Sequence, residues 1–182
     1  MRKIIADLAV SLDGFIEGPN GETDWCILDD DMDMEAFIDT VDTIFYGRVS
    51  YDAWGNFEPE ATASPAEKQL WHNVHSRKKY VFSKQAGAGD GKATFIHTDI
   101  KTAVAAIRQQ EGKDIWLYGG AGLIRSFMNA DLIDVYRLSV HPLVLGGGIP
   151  LFRDLQQRIN LQLLHSHVFR SGVVQLVYKP VR

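Results

Sequence analysis

Cysteine is almost absent from this 182-residue chain: Cys26 stands alone, so no internal disulfide can form and nothing calls for an oxidising compartment. Long apolar runs are missing as well. No stretch approaches the roughly 18 residues a membrane helix needs. Arg2-Lys3 before Ile4-Ile5-Ala6 does not make a signal peptide, because Asp7 and Asp13 interrupt the apolar region. Positive charge is missing from one long segment: Ile4 through Gly47 holds twelve Asp or Glu residues and no Lys or Arg. Together with a formal net charge of −4, this argues against a general nucleic-acid or anionic-membrane binder. His72, His75, His97, His165 and His167 show no metal-ligand spacing with carboxylates or thiols. The dinucleotide fingerprint G-x-G-x-x-G does not occur. These absences lead to the expectation of a soluble, cytoplasmic protein.

What is present fits one globular domain over residues 1–182, with 46% hydrophobic and 23% charged residues giving ample material for a core. The chain is organised around Asp114–Met128. Asp114-Ile115-Trp116-Leu117-Tyr118 is apolar enough for a strand buried on both faces. Leu123, Ile124, Phe127 and Met128 repeat at helical spacing. Between them lies Gly119-Gly120-Ala121-Gly122, a turn with almost no side chain at a helix start, where unpaired N–H groups and the positive dipole end suit a phosphate.

Around this centre the pattern predicts a strand at Ile4–Ser11, a long loop from Ser11 to Trp25, and a helix over Asp29–Thr40. A strand at Thr43–Tyr46 and a short helix from Arg48 to Trp54 come after it. Ser64-Pro65-Ala66-Glu67 is a capping box opening a helix to about His75. Next come strands at Lys79–Ser83 and Ala93–His97, joined by a glycine-rich connection, Gln85–Lys92. A helix capped by Asp99 is expected to end at Gly112. Ile133–His141 reads as a strand, Pro142–Pro150 as a loop, and Ile159–Phe169 with Val173–Tyr178 as a closing hairpin. Alternating strands and helices predict an α/β fold with a mostly parallel central sheet, covered on both faces, and an antiparallel C-terminal hairpin. The mostly apolar strand Val173–Val177, placed at a sheet edge, predicts a homodimer.

Two strand–glycine–helix junctions recur, Tyr46-Gly47-Arg48-Val49-Ser50 and Tyr118-Gly119-Gly120-Ala121-Gly122. In a parallel sheet both would place helix starts at the carboxyl rim, where ligands bind. Such a pair can grip a pyrophosphate. Arg48 with Ser83 and Lys84, at the end of a third strand, could hold one further phosphate, as the 2′-phosphate of NADP requires.

The chain resembles the dihydrofolate reductase superfamily, and particularly the reductase domain of the bifunctional riboflavin-biosynthesis deaminase-reductase and its stand-alone relatives. The resemblance rests on Ser11-Leu12-Asp13-Gly14, Gly47-Arg48-x-Ser50-Tyr51, Val81-Phe82-Ser83 and Leu117-Tyr118-Gly119-Gly120-Ala121-Gly122-Leu123. It continues through His141-Pro142-x-Val144-Leu145-Gly146-Gly147-Gly148-x-Pro150-Leu151-Phe152. It implies a three-layer dihydrofolate reductase-like fold and NADPH-dependent hydride transfer to a small pterin- or aminopyrimidine-like substrate, similar to 5-amino-6-(5-phosphoribosylamino)uracil reductase. The 2′-phosphate would lie at Arg48, Ser83 and Lys84, and the pyrophosphate at Gly47, Ser50 and Gly119, Gly120, Ala121, Gly122 and Leu123. A cis peptide would join Gly119 to Gly120. Asp13 and Trp25 would border the substrate.

Reduction of a C=N or C=O bond also needs a proton partner. The resemblance points to Asp31, with Asp29, Asp30 and Asp33 as neighbours that could serve or could merely cap a helix. The acidic first segment offers no cation to an anionic substrate, so Arg125, Arg153 or a subunit neighbour would have to compensate, or the substrate is neutral or cationic. His141 reads as a structural histidine at a strand end. A true dihydrofolate reductase is a second reading, and a non-catalytic nucleotide-binding protein on the same fold is a third.

Overall fold

The computed structural model describes residues 1–84 and 91–182, so residues 85–90 of the glycine-rich connection lie outside the described set, as does the side chain of Asp30. In chain order the elements begin with β1 (Ile4–Ser11), β2 (Phe15–Glu17), α1 (Met34–Thr40), β3 (Val41–Gly47) and α2 (Arg48–Trp54). They continue with α3 (Pro65–His75), β4 (Lys78–Phe82), β5 (Thr94–Ile96), α4 (Ile100–Arg108) and β6 (Asp114–Gly119). The last are α5 (Ala121–Asn129), β7 (Val135–His141), β8 (Ile149–Pro150), β9 (Leu161–Val168) and β10 (Val174–Pro180). They group into two compact units: Met1–Arg2 with Asp33–Gly120, and Lys3–Met32 with Ala121–Arg182.

In the first unit the strand order is β5-β4-β3-β6, all parallel. Its strands are nearly continuous runs of buried residues, as parallel strands covered on both faces require. Phe45 meets Tyr80 and Phe82 edge-on, while Tyr46 packs against Tyr51 and Tyr118. The helix starts follow their local chemistry. Ser64 accepts from Glu67 N at 3.1 Å with Pro65 in the first turn, and Asp99 accepts from Thr102 N at 2.9 Å.

Two helix expectations need correction. Asp29–Thr40 is not one helix: a 3-10 turn at Asp30–Met32 is separated from α1 by Asp33, whose φ of 47° is left-handed. Aspartate tolerates that conformation, and its carboxylate then caps α1 by accepting from Ala36 N. The second concerns Gly112. α4 ends at Arg108, well before it. Gly112 is needed for close approach instead: at φ 147° an added Cβ would lie 2.3 Å from the Asp42 carboxylate, which pairs with buried Arg2.

In the second unit the order is β1-β7-β10-β9, with β1 and β7 parallel and both pairings of β10 antiparallel. The closing hairpin is as expected, but Val173–Val177 does not lie on an edge. β10 runs between β7 and β9, its Gln175 is buried, and β9 forms the outer strand. Asp7 stands opposite Arg137 in the β1–β7 register and pairs with it at 3.0 Å. Burial nevertheless raises its carboxyl to about 6, with Arg137 opposing the rise. The two expected loops also contain structure: β2 and β8 pair with each other. Gly148, at φ 136°, permits this, since a Cβ there would come within 2.1 Å of the Glu17 carbonyl oxygen.

Candidate active site

Within the first unit both glycine junctions fall on the same rim. β3 and β6 are parallel neighbours, and the register sets Tyr46 opposite Gly119. Each strand is therefore leaving the sheet where the other does. A cis peptide joins Gly119 to Gly120. A side chain on Gly120 would begin 4.0 Å from Ser50 Cβ, so this glycine faces the first turn of α2. α2 itself starts directly from Gly47, with no side-chain cap and no acidic residue in its first turn. These features form a cradle lined by backbone and the Ser50 side chain.

Beside it, the Tyr46 hydroxyl is buried with no hydrogen-bond partner among the described residues. Burial, then the neighbouring Tyr118 and Tyr51, raises its pKa, so it remains a neutral phenol.

The third strand end supplies a polar corner. Gly47 stands opposite Phe82 and Phe82 opposite Ile96, which brings Arg48, Ser83 and His97 off three adjacent strand ends. Arg48 Nε donates to both Asp52 carboxylate oxygens at 2.8 and 2.9 Å, and its guanidinium lies over the Phe95 ring. His97 Nδ1 lies 3.0 Å from the Ser83 carbonyl oxygen. Lys84 is exposed beside them in sequence. His97 is not among the candidates the sequence offers. Its only signal is a place just after a short strand, which acquires meaning once β5 is known to pair with β4.

Ala121, Gly122 and Leu123 open α5 in the second unit, again with no acidic residue in the first turn. A cavity of about 260 Å³ borders this helix start, lined by Ala121, Gly122, Arg125, Gly148–Leu151 and Arg153. Arg125 and Arg153 both pair with the same Asp154 oxygen, at 2.8 and 3.0 Å. Two guanidinium groups sharing one carboxylate leave the wall net positive. The cations that the acidic first segment lacks are therefore found here.

The remaining candidates, also in the second unit, have structural partners. Asp13 accepts from Ser11 Oγ at 2.7 Å and from the N–H groups of Gly146 and Leu145 at 2.8 and 3.1 Å. The serine bond, with the backbone bonds from Gly146 and Leu145, outweighs an opposing desolvation and holds its carboxyl below the usual range. Trp25 is half-buried, donates its indole N–H to Glu22 O, and meets the His141 ring edge-on. His141 is buried; its Nε2 accepts from Ile27 N at 3.0 Å while Nδ1 faces Ser139 O, a structural role that holds the Trp25 segment. Asp31 sits 3.7 Å from Arg170 in the hairpin turn, and Asp29 accepts from Ser171 N at 3.2 Å. Met32, Phe169 and Val173 pack beneath them. Cys26 is quiescent, its thiol pushed up to about 11 by burial and then by Asp24.

Parallel strands, glycine-rich helix starts on their carboxyl rim and an antiparallel closing hairpin define an α/β protein of the dihydrofolate reductase-like kind. The match can be made narrower: the chain belongs to the RibD C-terminal domain family, whose profile covers residues 2–175. It is 55% identical to the uncharacterized protein YyaP of Bacillus subtilis (strain 168), over 97% of this chain and 94% of that one. Its fold matches a putative riboflavin biosynthesis protein from Shewanella sp. PV-4 with a TM-score of 0.80 at 24% identity, each chain covered in full. It also matches the dihydrofolate reductase of Enterococcus faecalis, solved with NADP(H), with a TM-score of 0.67 at 15% identity, over 99% and 97% of the two chains. No helix among the described residues is long and apolar enough to cross a membrane.

Proposed function

We propose that this protein is an NADPH-dependent reductase of a small pterin- or aminopyrimidine-like heterocycle, of the class handled by 5-amino-6-(5-phosphoribosylamino)uracil reductase, working in the cytoplasm. One observation carries the reading: Tyr46 and Gly119 are register partners in parallel strands, with Gly120 so placed that an added Cβ would lie 4.0 Å from Ser50 Cβ. The bare α2 start at Gly47 beside the glycine end of β6, on one rim of the first unit, fits a pyrophosphate. Gly47, Ser50, Gly119 and Gly120 would hold it, continuing to Ala121, Gly122 and Leu123. Arg48, Ser83 and Lys84, joined by His97, would hold the 2′-phosphate, Arg48 exchanging part of its bond to Asp52 for it. The bound dinucleotide supplies a hydride. Trp25 walls the substrate side, and Asp13 acts by fixing the Leu145–Gly146 backbone rather than by touching substrate.

In this proposal Asp31 anchors the hairpin turn, and the proton that accompanies the hydride comes from solvent water rather than from this carboxyl. Because Asp13, Asp29 and Asp31 all have such partners, a nucleotide-binding protein without catalysis is the second reading.

Thermal unfolding with NADPH or NADH tests the cofactor. NADPH at about a hundredfold excess over its Kd should raise Tm by about 5 °C or more, and NADH by less. Stabilisation by neither removes the proposal. Following NADPH absorbance with a panel of pterins and aminopyrimidines then separates enzyme from binder. Oxidation with none of them favours the second reading.

A further inference from the structure

The two faces of the β1–β7–β10 sheet are built differently. Side chains alternate along a strand, so Asp7, Ala9 and Ser11 share one face with their register partners Arg137, Ser139 and His141. Gln175 of β10, opposite Ser139, joins them. On the other face Ile4, Ala6, Tyr136 and Leu138 are buried. On this one Ile5, Ala9, Val135, Ser139 and Val177 are only half-buried, which leaves its middle partly open. Sunk into this floor is a charged pair: Asp7 and Arg137 meet at 3.0 Å, with side chains 8 and 15% exposed. The Gln175 carboxamide, oriented by its partners, accepts from Arg137 Nε and Nη2 at 3.3 and 3.1 Å. Ala9 and Ser139, both small, separate this trio from His141, where the Ile27 N–H and the Trp25 ring close the far end. Asp7 to Ser11 spans about 13 Å of strand, room for one flat ring system over Ala9 and Ser139.

We infer that Asp7, Arg137 and Gln175 form a recognition site for a flat, neutral heterocycle whose edge offers an N–H beside a C=O, as a uracil or pterin ring does. An ionised carboxylate only accepts, through about four lone-pair sites, and a guanidinium only donates, through five N–H groups. Side by side they complement such an edge, and both can bind it while keeping their bond to each other. Charge selects the occupant. An anionic ring would be repelled by Asp7 and a cationic one by Arg137. Stability alone does not account for the pair, because apolar residues of the same volume would serve the sheet as well or better. Burial also raises the Asp7 carboxyl to about 6, a displacement of the kind that clusters at functional sites. This inference deepens the reductase reading and rests on it for the class of ring alone.

Isothermal titration without nucleotide, using 5,6-diaminouracil and its 1,3-dimethyl derivative, tests it. The two rings share their carbonyls, and only the first has ring N–H groups. The wild type should bind 5,6-diaminouracil at least about 10-fold more tightly than the dimethyl compound. Asp7→Asn should weaken 5,6-diaminouracil at least about 10-fold and change the dimethyl compound less than about threefold. A merely structural Asp7 would move both alike. Equal wild-type affinities, no binding of either ring, or a preference that survives in Asp7→Asn overturns the inference. Should the variant fail to fold, the wild type decides: saturating 5,6-diaminouracil should shift the magnetic resonance of the Arg137 Nε–H, and an unmoved resonance overturns the inference. Because no nucleotide is present, the outcomes separate. NADPH stabilisation without ring binding ends this inference alone, and ring binding without NADPH stabilisation ends the cofactor reading alone.

Discussion

The two compact units solve the same problem, exposing polar groups at a sheet rim, by different means. In the unit spanning Asp33–Gly120 the rim is made of backbone: Gly47, Gly119 and Gly120 withdraw their side chains, and helix ends supply the N–H groups. In the unit built from Lys3–Met32 and Ala121–Arg182 the polar groups are side chains already bound to protein. Asp13 is tied to Leu145 and Gly146, His141 to Ile27, and Asp29 to Ser171. A backbone cradle is complete before a ligand arrives. Carboxylates satisfied internally shape a pocket without reacting in it. In the proposed reading the first unit offers the glycine cradle, while in the second Asp13, Asp29 and His141 give support and the α5 start with Arg125 and Arg153 borders a cavity of its own.

The largest expected effect comes from breaking the cradle. Gly120→Ala adds one methyl group at an ordinary 4.0 Å from Ser50 Cβ, so the free protein should keep its Tm within about 2 °C. The same methyl occupies the space where a pyrophosphate must touch backbone, and NADPH affinity should fall roughly 100-fold. Isothermal titration measures it. Undiminished affinity would mean that the dinucleotide does not use this glycine.

On the supporting side, Asp13→Ala should free the Leu145 and Gly146 amides. Their hydrogen exchange should rise about tenfold, with a smaller change in the strands of either unit. Acid should mimic the variant. The Asp13 carboxyl is held below its ordinary value, so its contribution is present at neutral pH and lost as pH falls through the folded-state value. If exchange at both amides is unaltered, the bonds to Asp13 are not what holds this loop.

Asp7 should behave with the opposite sign. Its carboxyl rises from 3.8 to about 6 on folding, so between those values the folded chain keeps a proton that the unfolded chain has released. Stability from this group therefore decreases as pH climbs through that window and levels off above it. Calorimetry should show a higher Tm near pH 5 than near pH 7, and the difference should shrink in Asp7→Asn to the part left by Glu17, whose carboxyl burial also raises. Working at or above pH 5 avoids the depressed carboxyls of Asp13, Glu22 and Asp99, whose effects run the other way.

Legibility in the sequence obeys the same division. The strand–glycine–helix junctions, the caps at Ser64 and Asp99, and the Ile4–Ser11 strand are written in neighbouring residues, and the structure has them where the pattern predicts. Partners far apart in sequence are not written there. Nothing near Asp13 announces Gly146, and nothing near His97 announces Ser83. The edge strand is misread from sequence for a related reason: hydrophobicity marks Val173–Val177, whereas position in the sheet is decided by which strand pairs on both sides. Burial shows that the more apolar strand of a hairpin lies inside and the less apolar one outside.

Asp31 gives the smallest expected effect, and for that reason it sharpens the contrast most. Its pairing with Arg170 spans 3.7 Å, and the arginine side chain is 83% exposed. An exposed pair of this kind contributes little to stability. Asp31→Asn should therefore shift Tm by no more than about 1 °C. A general acid contributes about 100-fold or more to a reduction, so under anchoring alone the rate of NADPH oxidation should stay within about twofold of the wild type and its pH profile should not move. The two outcomes are far enough apart for a single rate measurement to separate them. A hundredfold loss with a shifted pH profile would return Asp31 to the chemistry, and the second unit would then contribute a reacting group as well as support.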